Sequence, residues 1–334
     1  MTCVKNAPCY EVERGEVMKK TWYLIIGVVL LVIGCIAYGY HEHYKPKTAQ
    51  ELKTVRVAYL PITHALPVFA TKELETADGP VHVELVKYGS WPELMDALNT
   101  GKVDAAAVLV ELGVKAREQG IDVRAAALGH TEGNIIIVNK DINSVQDLKG
   151  KSFAIPHKQS TQKVLVDCML EEAGLSEKDV QIVEMSPPEM PSALSVGQIA
   201  GYSVAEPFGS LALEMGTGKV FEDPDHLWHD NICCALVFNG QFVDEHHDLA
   251  KAFTKAYLDA GKYLDEHPKA QEEISLKYMK FNDPVIERSL KVIGFKDLAL
   301  TEDRYNALVH HMTHIDLIKK VPSYSEFVDT SLLP

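Results

Sequence analysis

Ala97-Leu98-Asn99-Thr100-Gly101-Lys102-Val103-Asp104-Ala105 returns in the same chain as Ala193-Leu194-Ser195-Val196-Gly197-Gln198-Ile199-Ala200-Gly201. Each copy reads as the end of a helix, a glycine, and the entry to a buried strand. Gly101 and Gly197 stand just past the last turn, where the chain swings into the left-handed conformation that glycine adopts without penalty. The Ala-Leu pairs before them pack the helix onto a sheet. The strands that follow are Ala105–Leu109 and Gly201–Ala205. A helix-to-strand unit present twice predicts two similar α/β lobes. A cleft between two such lobes suits the capture of a small molecule.

Outward from the two copies, strand and helix alternate, which predicts largely parallel sheets. The first lobe reads as strands at 55–60, 81–86, 103–109 and 123–128. Ser90-Trp91-Pro92-Glu93 has the form of a capping box with proline in the first turn. The second lobe reads as strands at 134–138, 152–156, 180–185 and 201–205. Gly129 to Gly133 marks the crossing between lobes, and the apolar run Ile232–Val237 marks the return. From Asp244 onward the pattern is helical. The expected division is 54–133 with 236–334 for one lobe and 134–235 for the other.

The chain has 334 residues, enough for two domains of ordinary size. Its net charge of −14 argues against nucleic acid as a partner and offers anions no long-range steering. The cysteines Cys3, Cys9, Cys35, Cys168, Cys233 and Cys234 form no C-x-x-C pair. Cys233 and Cys234 are neighbours on an expected strand. They are expected to point to opposite faces as buried free thiols.

Residues 21–40 carry no charged side chain and follow Lys19 and Lys20. Their apolar run is long enough to span a bilayer, with the basic flank on the cytoplasmic side. This predicts an n-region over 1–20, a signal peptide or transmembrane anchor over 21–40 and a tether over 41–53. Val32-Ile33-Gly34-Cys35 is like a bacterial lipobox, with Cys35 as the lipid anchor. In an uncleaved helix, Trp22 and Tyr23 at one end and Tyr38 and Tyr40 at the other would form the interfacial belts. Met18-Lys19-Lys20 reads as a conventional signal-peptide start, so residues 1–17 are expected to lie outside the translated protein.

Ligands of open α/β sheets sit beyond the carboxyl ends of the strands. That rule selects Thr63 and His64, Ser90 and Trp91, Glu111 and His130 in the first lobe. In the second it selects His157, Ser160, Thr161 and Glu206. Ser90 and Ser160 also stand at helix caps, and the amides behind them suit an anion. Trp91 is expected as a wall of the cleft. Its replacement by alanine is expected to weaken binding roughly tenfold or more with little change in melting. Glu206 would accept hydrogen bonds from a ring N–H or an amine. His226-x-x-His229 ahead of Cys233-Cys234, and the pair His310 and His314, match no standard zinc spacing, so neither a metal nor a cofactor is expected. The chain has no G-x-S-x-G, P-loop, G-x-G-x-x-G or H-E-x-x-H, and no enzymatic activity is expected.

Val57-Ala58-Tyr59-Leu60-Pro61, Asp147-Leu148-Lys149-Gly150-Lys151, both Ala-Leu-x-x-Gly units and Glu206-Pro207 stand in an order that resembles one family. It is the solute-binding proteins of nitrate/sulfonate/taurine/bicarbonate-type ABC importers, which include thiamine-pyrimidine-precursor binders. The resemblance runs from about Val55 to about Tyr263. It implies a two-lobed type II periplasmic-binding-protein fold that closes on one small anion or small heterocyclic nutrient. The partners implied are an ABC permease and its ATPase, with the domain held at the extracytoplasmic face of the cell membrane. In nitrate-type relatives an aromatic residue and a histidine contact the ligand, places that Trp91 and His157 could take. Ala200 departs from the family, which usually has Asp there, as Asp104 is in the first unit. Cys233-Cys234 is not a general family feature. The alternative is an enzyme of the same fold, of the thiamine-pyrimidine or quinone-synthesis type. Such enzymes work in the cytoplasm, which the expected anchor argues against.

Overall fold

The computed structural model describes residues 22–35 and 53–334. They belong to two units, Met1–Leu52 and Lys53–Pro334, each taken by itself. In the first unit, residues 22–35 form helix α1 with every side chain exposed. No helix of the described residues is long and apolar enough to cross a membrane. Cys3, Cys9, Met18, Lys19, Lys20, Tyr38, Tyr40 and the expected tether up to residue 52 lie outside the described residues.

The second unit holds two five-stranded sheets. The first is made of β1 (Thr54–Tyr59), β2 (His82–Lys87), β3 (Ala105–Leu109), β4 (Val123–Leu128) and, much later in the chain, β11 (Cys234–Asn239). Helices α2 (Leu66–Leu74), α3 (Trp91–Asn99) and α4 (Val110–Glu118) connect its strands. A short β5 (Thr131–Glu132) leads to the second sheet of β6 (Asn134–Asn139), β7 (Ser152–Ile155), β8 (Gln181–Glu184), β9 (Gly201–Ala205) and β10 (Gly218–Val220). There the connecting helices are α5 (Thr161–Glu172), α6 (Met190–Ser195) and α7 (Phe208–Glu214). The turn α8 (Pro224–Leu227) precedes β11. After it come α9 (Gly240–Glu245), α10 (His247–Glu266), α11 (Pro268–Met279), α12 (Asp283–Ser289), β12 (Ile293–Gly294), α13 (Glu302–His314) and α14 (Tyr324–Phe327), with β12 paired to β5.

The strand orders are β2-β1-β3-β11-β4 and, read from the matching edge, β8-β7-β9-β6-β10. The repeated stretch is the local form of this equivalence. Gly101 and Gly197 both take the left-handed conformation, at φ +70° and +71°. Asp104 N donates to Arg56 O at 2.9 Å, and Ala200 N donates to Ser152 O at 2.8 Å. Asn239 N then bonds Asp104 O at 3.0 Å, and Asn139 N bonds Ala200 O at 2.8 Å. Where the first lobe pairs Val57 with Ala105, the second pairs Phe153 with Gly201. A methyl on Gly201 would lie 2.7 Å from the Phe153 ring, so the larger side chain and the missing one compensate in volume.

The sheets are largely parallel as expected, with one reversed strand in each, since β11 runs against β3 and β4, and β6 against β9 and β10. These are the two strands that bring the chain across from the other lobe. Three other features differ from the sequence expectations. β11 begins two residues later than expected, so Cys233 precedes the strand and the opposite-face rule does not govern the cysteine pair. Ser90 makes no side-chain cap bond. A cap there bonds the second or third helical amide, and Pro92 has removed one of the two. β10 went unrecognised because three residues hold too short a pattern to alternate.

Asp104 also tests what the second copy lacks. Its Oδ2 accepts from Arg56 N at 2.7 Å, and its Oδ1 from Arg56 Nη2 at 2.6 Å. Asp104→Ala is expected to destabilise the first lobe by about 2 kcal/mol, mostly through the orphaned amide, since the guanidinium is partly solvated. Urea unfolding with an unaltered midpoint would refute this.

Candidate functional site

The loops at the carboxyl ends of the first sheet meet those of the second. Thr63 follows β1, and its N–H and Oγ1 both donate to the Glu206 carbonyl after β9, each at 3.0 Å. Thr161, at the start of α5, bonds Glu111 Oε1 at 2.5 Å and donates to Ile232 O at 2.7 Å. Thr161 has a single hydroxyl proton, and the carbonyl of Ile232 can only accept it. Glu111 therefore donates to Thr161 and is protonated. Burial, and next the charge of Cys233, hold the Glu111 carboxyl well above the usual range, which agrees.

Behind these bridges lie four buried donors. His64 Nδ1 is 3.6 Å from Cys233 Sγ and 3.5 Å from Cys234 Sγ, and the two sulfurs are 3.8 Å apart. His130 completes the group, with the four ligand atoms all within 4.8 Å of one another. The histidine rings lie with centroids 3.5 Å apart. His64 Nε2 donates to the Gly133 carbonyl at 3.0 Å, so the Nδ1 lone pair faces the thiols. His130 Nδ1 donates to the Glu132 carbonyl at 2.6 Å, and its Nε2 is buried with no partner. Burial, and next the neighbouring His64, pull the His130 pKa down to about 4 and keep it neutral.

The two thiols differ in acidity. Burial opposes ionisation of Cys233, but the Cys234 hydrogen bond and both imidazoles outweigh it and hold Cys233 well below its ordinary value. Burial, then the bond to Cys233, push Cys234 well above. Gln162 on α5 reaches in from the second lobe. Its Nε2 donates to Cys233 Sγ at 3.3 Å and to Asn134 Oδ1 at 2.7 Å. Asn134 in turn donates to Asn231 Oδ1 at 3.1 Å.

A cavity of about 600 Å³ opens beside this group. Glu132, Gly133 and Asn134, which bond His130, His64 and Gln162, form part of its wall. Among the described residues, its other lining includes the carboxylates Glu222, Asp223 and Asp225, with Lys291 as the one cation.

Of the residues selected from sequence, Thr63, His64, Glu111, His130, Thr161 and Glu206 come together at the lobe junction. Glu206 is turned to structure there, its carboxylate accepting from Ser210 N and Oγ, each at 2.8 Å. Ser160 caps α5, accepting from Lys163 N. His157 accepts from Gln159 N in its own loop. Ser90 is half-buried beside Trp91, which is 3% exposed in the core of the first lobe, its Nε1 unpartnered. Alanine at Trp91 therefore cannot leave melting unaltered, contrary to the sequence expectation. His226 and His229 pair with Glu222 and Asp225 at the surface rather than with the cysteines.

Sequence reasoning passed over the combination of Cys233 and Cys234 with His64 and His130, and it missed Gln162, Asn134 and Asn231. Local spacing holds no trace of a group assembled from three separate loops. The available signal was that both histidines and the cysteine pair flank strands on the ligand side of one sheet.

A family model described as the NMT1-like family matches residues 48–277. The nitrate import ATP-binding protein NrtC of Synechocystis is 25% identical over 65% of this chain, which spans only 36% of the length of that protein. The taurine-binding periplasmic protein of Escherichia coli K12 is 29% identical over 64% of this chain and 67% of its own length. The crystal structure of the ligand-binding component of an ABC-type import system from Staphylococcus aureus, with zinc bound, superposes with a TM-score of 0.80. It is 35% identical and covers 84% of this chain and 97% of its own.

Proposed function

The chain belongs to the NMT1-like family, and from that premise we propose that it is the extracytoplasmic solute-binding component of an ABC importer. One observation carries the reading. The two lobes meet at their strand ends through Thr63–Glu206 and Thr161–Glu111, and these bridges enclose His64, His130, Cys233 and Cys234. That is where a two-lobed α/β protein holds its solute. Closure over a solute presents a new outer face to a permease and its ATPase.

The junction favours a cation or a hydrogen-bond donor over a free oxyanion. Its buried charge-bearing groups are two carboxyls and two thiols, and the buried Lys163 of α5 is paired with Asp167 at 2.5 Å and with Glu177. Nitrate and taurine, named for the relatives, lack a cationic partner here, whereas zinc, named for the Staphylococcus aureus protein, has thiols and imidazoles. Cys35, exposed at the end of α1, is proposed as the lipid anchor that keeps the domain at the membrane.

Uptake tests the proposal. Cells deleted for the chain are expected to lose high-affinity uptake of one solute among nitrate, taurine, an alkanesulfonate and Zn²⁺, and to regain it when the chain is restored. Undiminished uptake of all four would remove the importer reading.

A further inference from the structure

Resting on that reading, we infer that the solute captured at the lobe junction is a soft divalent cation of the Zn²⁺ class. Its ligands are His64 Nδ1, His130 Nε2, Cys233 Sγ and Cys234 Sγ. Geometry is the first support. A tetrahedron built from bonds of about 2.3 Å to sulfur and about 2.05 Å to nitrogen has S···S edges of about 3.8 Å and S···N edges of about 3.55 Å. The observed edges are 3.8 Å between the sulfurs and 3.6 and 3.5 Å from His64 to each of them. The donors already stand at the spacing of a metal shell, with His130 the arm that has furthest to move.

Ligand orientation is the second support. Metal-bound imidazoles anchor their other nitrogen on a carbonyl or carboxylate. Both do so here, on Gly133 and Glu132, and the free Nε2 of His130 is a buried acceptor with no partner among the described residues. Charge balance is the third. Both sulfurs bind the cation as thiolates, with any S–H proton released to solvent, so two negative charges meet one 2+ charge and no net charge is buried. Two sulfurs and two nitrogens select Zn²⁺ over Ca²⁺ or Mg²⁺, which require oxygen.

The surroundings distinguish a captured ion from a structural one. The acidic cavity is lined in part by Glu132 and Gly133, the residues whose carbonyls hold the ligating rings, so carboxylates that attract a cation stand one residue layer from the donors. The second lobe grips the site through a ligand, with Gln162 on the Cys233 sulfur. Filling the shell therefore fixes the sulfur on which the second lobe closes.

The test uses the full chain, kept reduced, stripped by a chelator and titrated with Zn²⁺ against a chromophoric competitor. One equivalent is expected to bind and to compact the protein in small-angle scattering. Cys234→Ser and His130→Ala are each expected to weaken binding by roughly a hundredfold or more, and Cys168→Ser, outside the group, to change nothing. Gln162→Leu is expected to retain most of the affinity and lose the compaction. Co²⁺ in the unaltered chain is expected to show tetrahedral ligand-field bands with thiolate charge transfer, a reading that does not depend on any variant folding. No bound equivalent, binding indifferent to both ligand substitutions, or Co²⁺ spectra without thiolate character would overturn the site. Tight binding without compaction would overturn the ion's role as captured solute. Failure of the importer reading is separate, and shows as normal uptake in deleted cells with the Zn²⁺ titration intact.

Discussion

Alanine at Trp91 is expected to lower the melting temperature by roughly 10 °C, from a loss of about 4 kcal/mol. The indole is 3% exposed and packs in the core of the first lobe, at the first turn of α3. Its removal leaves a cavity in that core, and a close-packed core relaxes only partly around one. Phenylalanine at the same place separates packing from recognition. Trp91→Phe keeps most of the ring volume and deletes only the unpartnered Nε1–H. It is expected to recover most of the melting temperature. If the indole N–H meets the solute, the double comparison will show weakened binding in both variants. A melting curve for Trp91→Ala within 2 °C of the parent, a margin of about 1 kcal/mol, would show that the core does not depend on this ring.

Gly129→Ala is expected to damage the site and the fold together. A methyl on Gly129 would lie 2.8 Å from the backbone oxygen of His64 and 3.4 Å from Cβ of Cys234. The first of these atoms belongs to the main chain and cannot rotate away. The turn that carries His64 must shift, at a cost of about 1–3 kcal/mol. It takes with it the Thr63 bonds to Glu206, so the bridge between lobes weakens as the donors separate. Zn²⁺ affinity is expected to fall at least roughly tenfold, since misplaced ligands and their supports cost that much. Unchanged affinity measured by competition titration would show that His64 is not held by this close approach.

What was legible in the sequence was local. The Ala-Leu-x-x-Gly units carry their own helix end, glycine and strand, and β3 and β9 fall where those residues place them. Selecting residues after strand ends found His64, His130, Glu111 and Thr161, because sheet topology places loops without knowledge of their contents. What stayed hidden depends on register between distant segments. Cys233 escapes strand alternation by one residue, and only then can its sulfur share a neighbourhood with that of Cys234. Gln162 reads as an ordinary helix residue until its amide is seen to reach Cys233 from the other lobe. Ser90 was misread because its tetrapeptide fits a cap pattern while Pro92 removes an amide that the pattern needs.

The late arrival of β11 bears on how the molecule is made. Strands β6 to β10 are consecutive in the chain, so the second sheet can close as soon as it is synthesised. The first sheet cannot, because the strand between β3 and β4 emerges only with residues 234–239. Until then the nascent chain carries the open edge of β3 and a detached, alanine-rich β4. A holding chaperone would find its substrate in that half-built lobe, and the window of aggregation would end when β11 slots in.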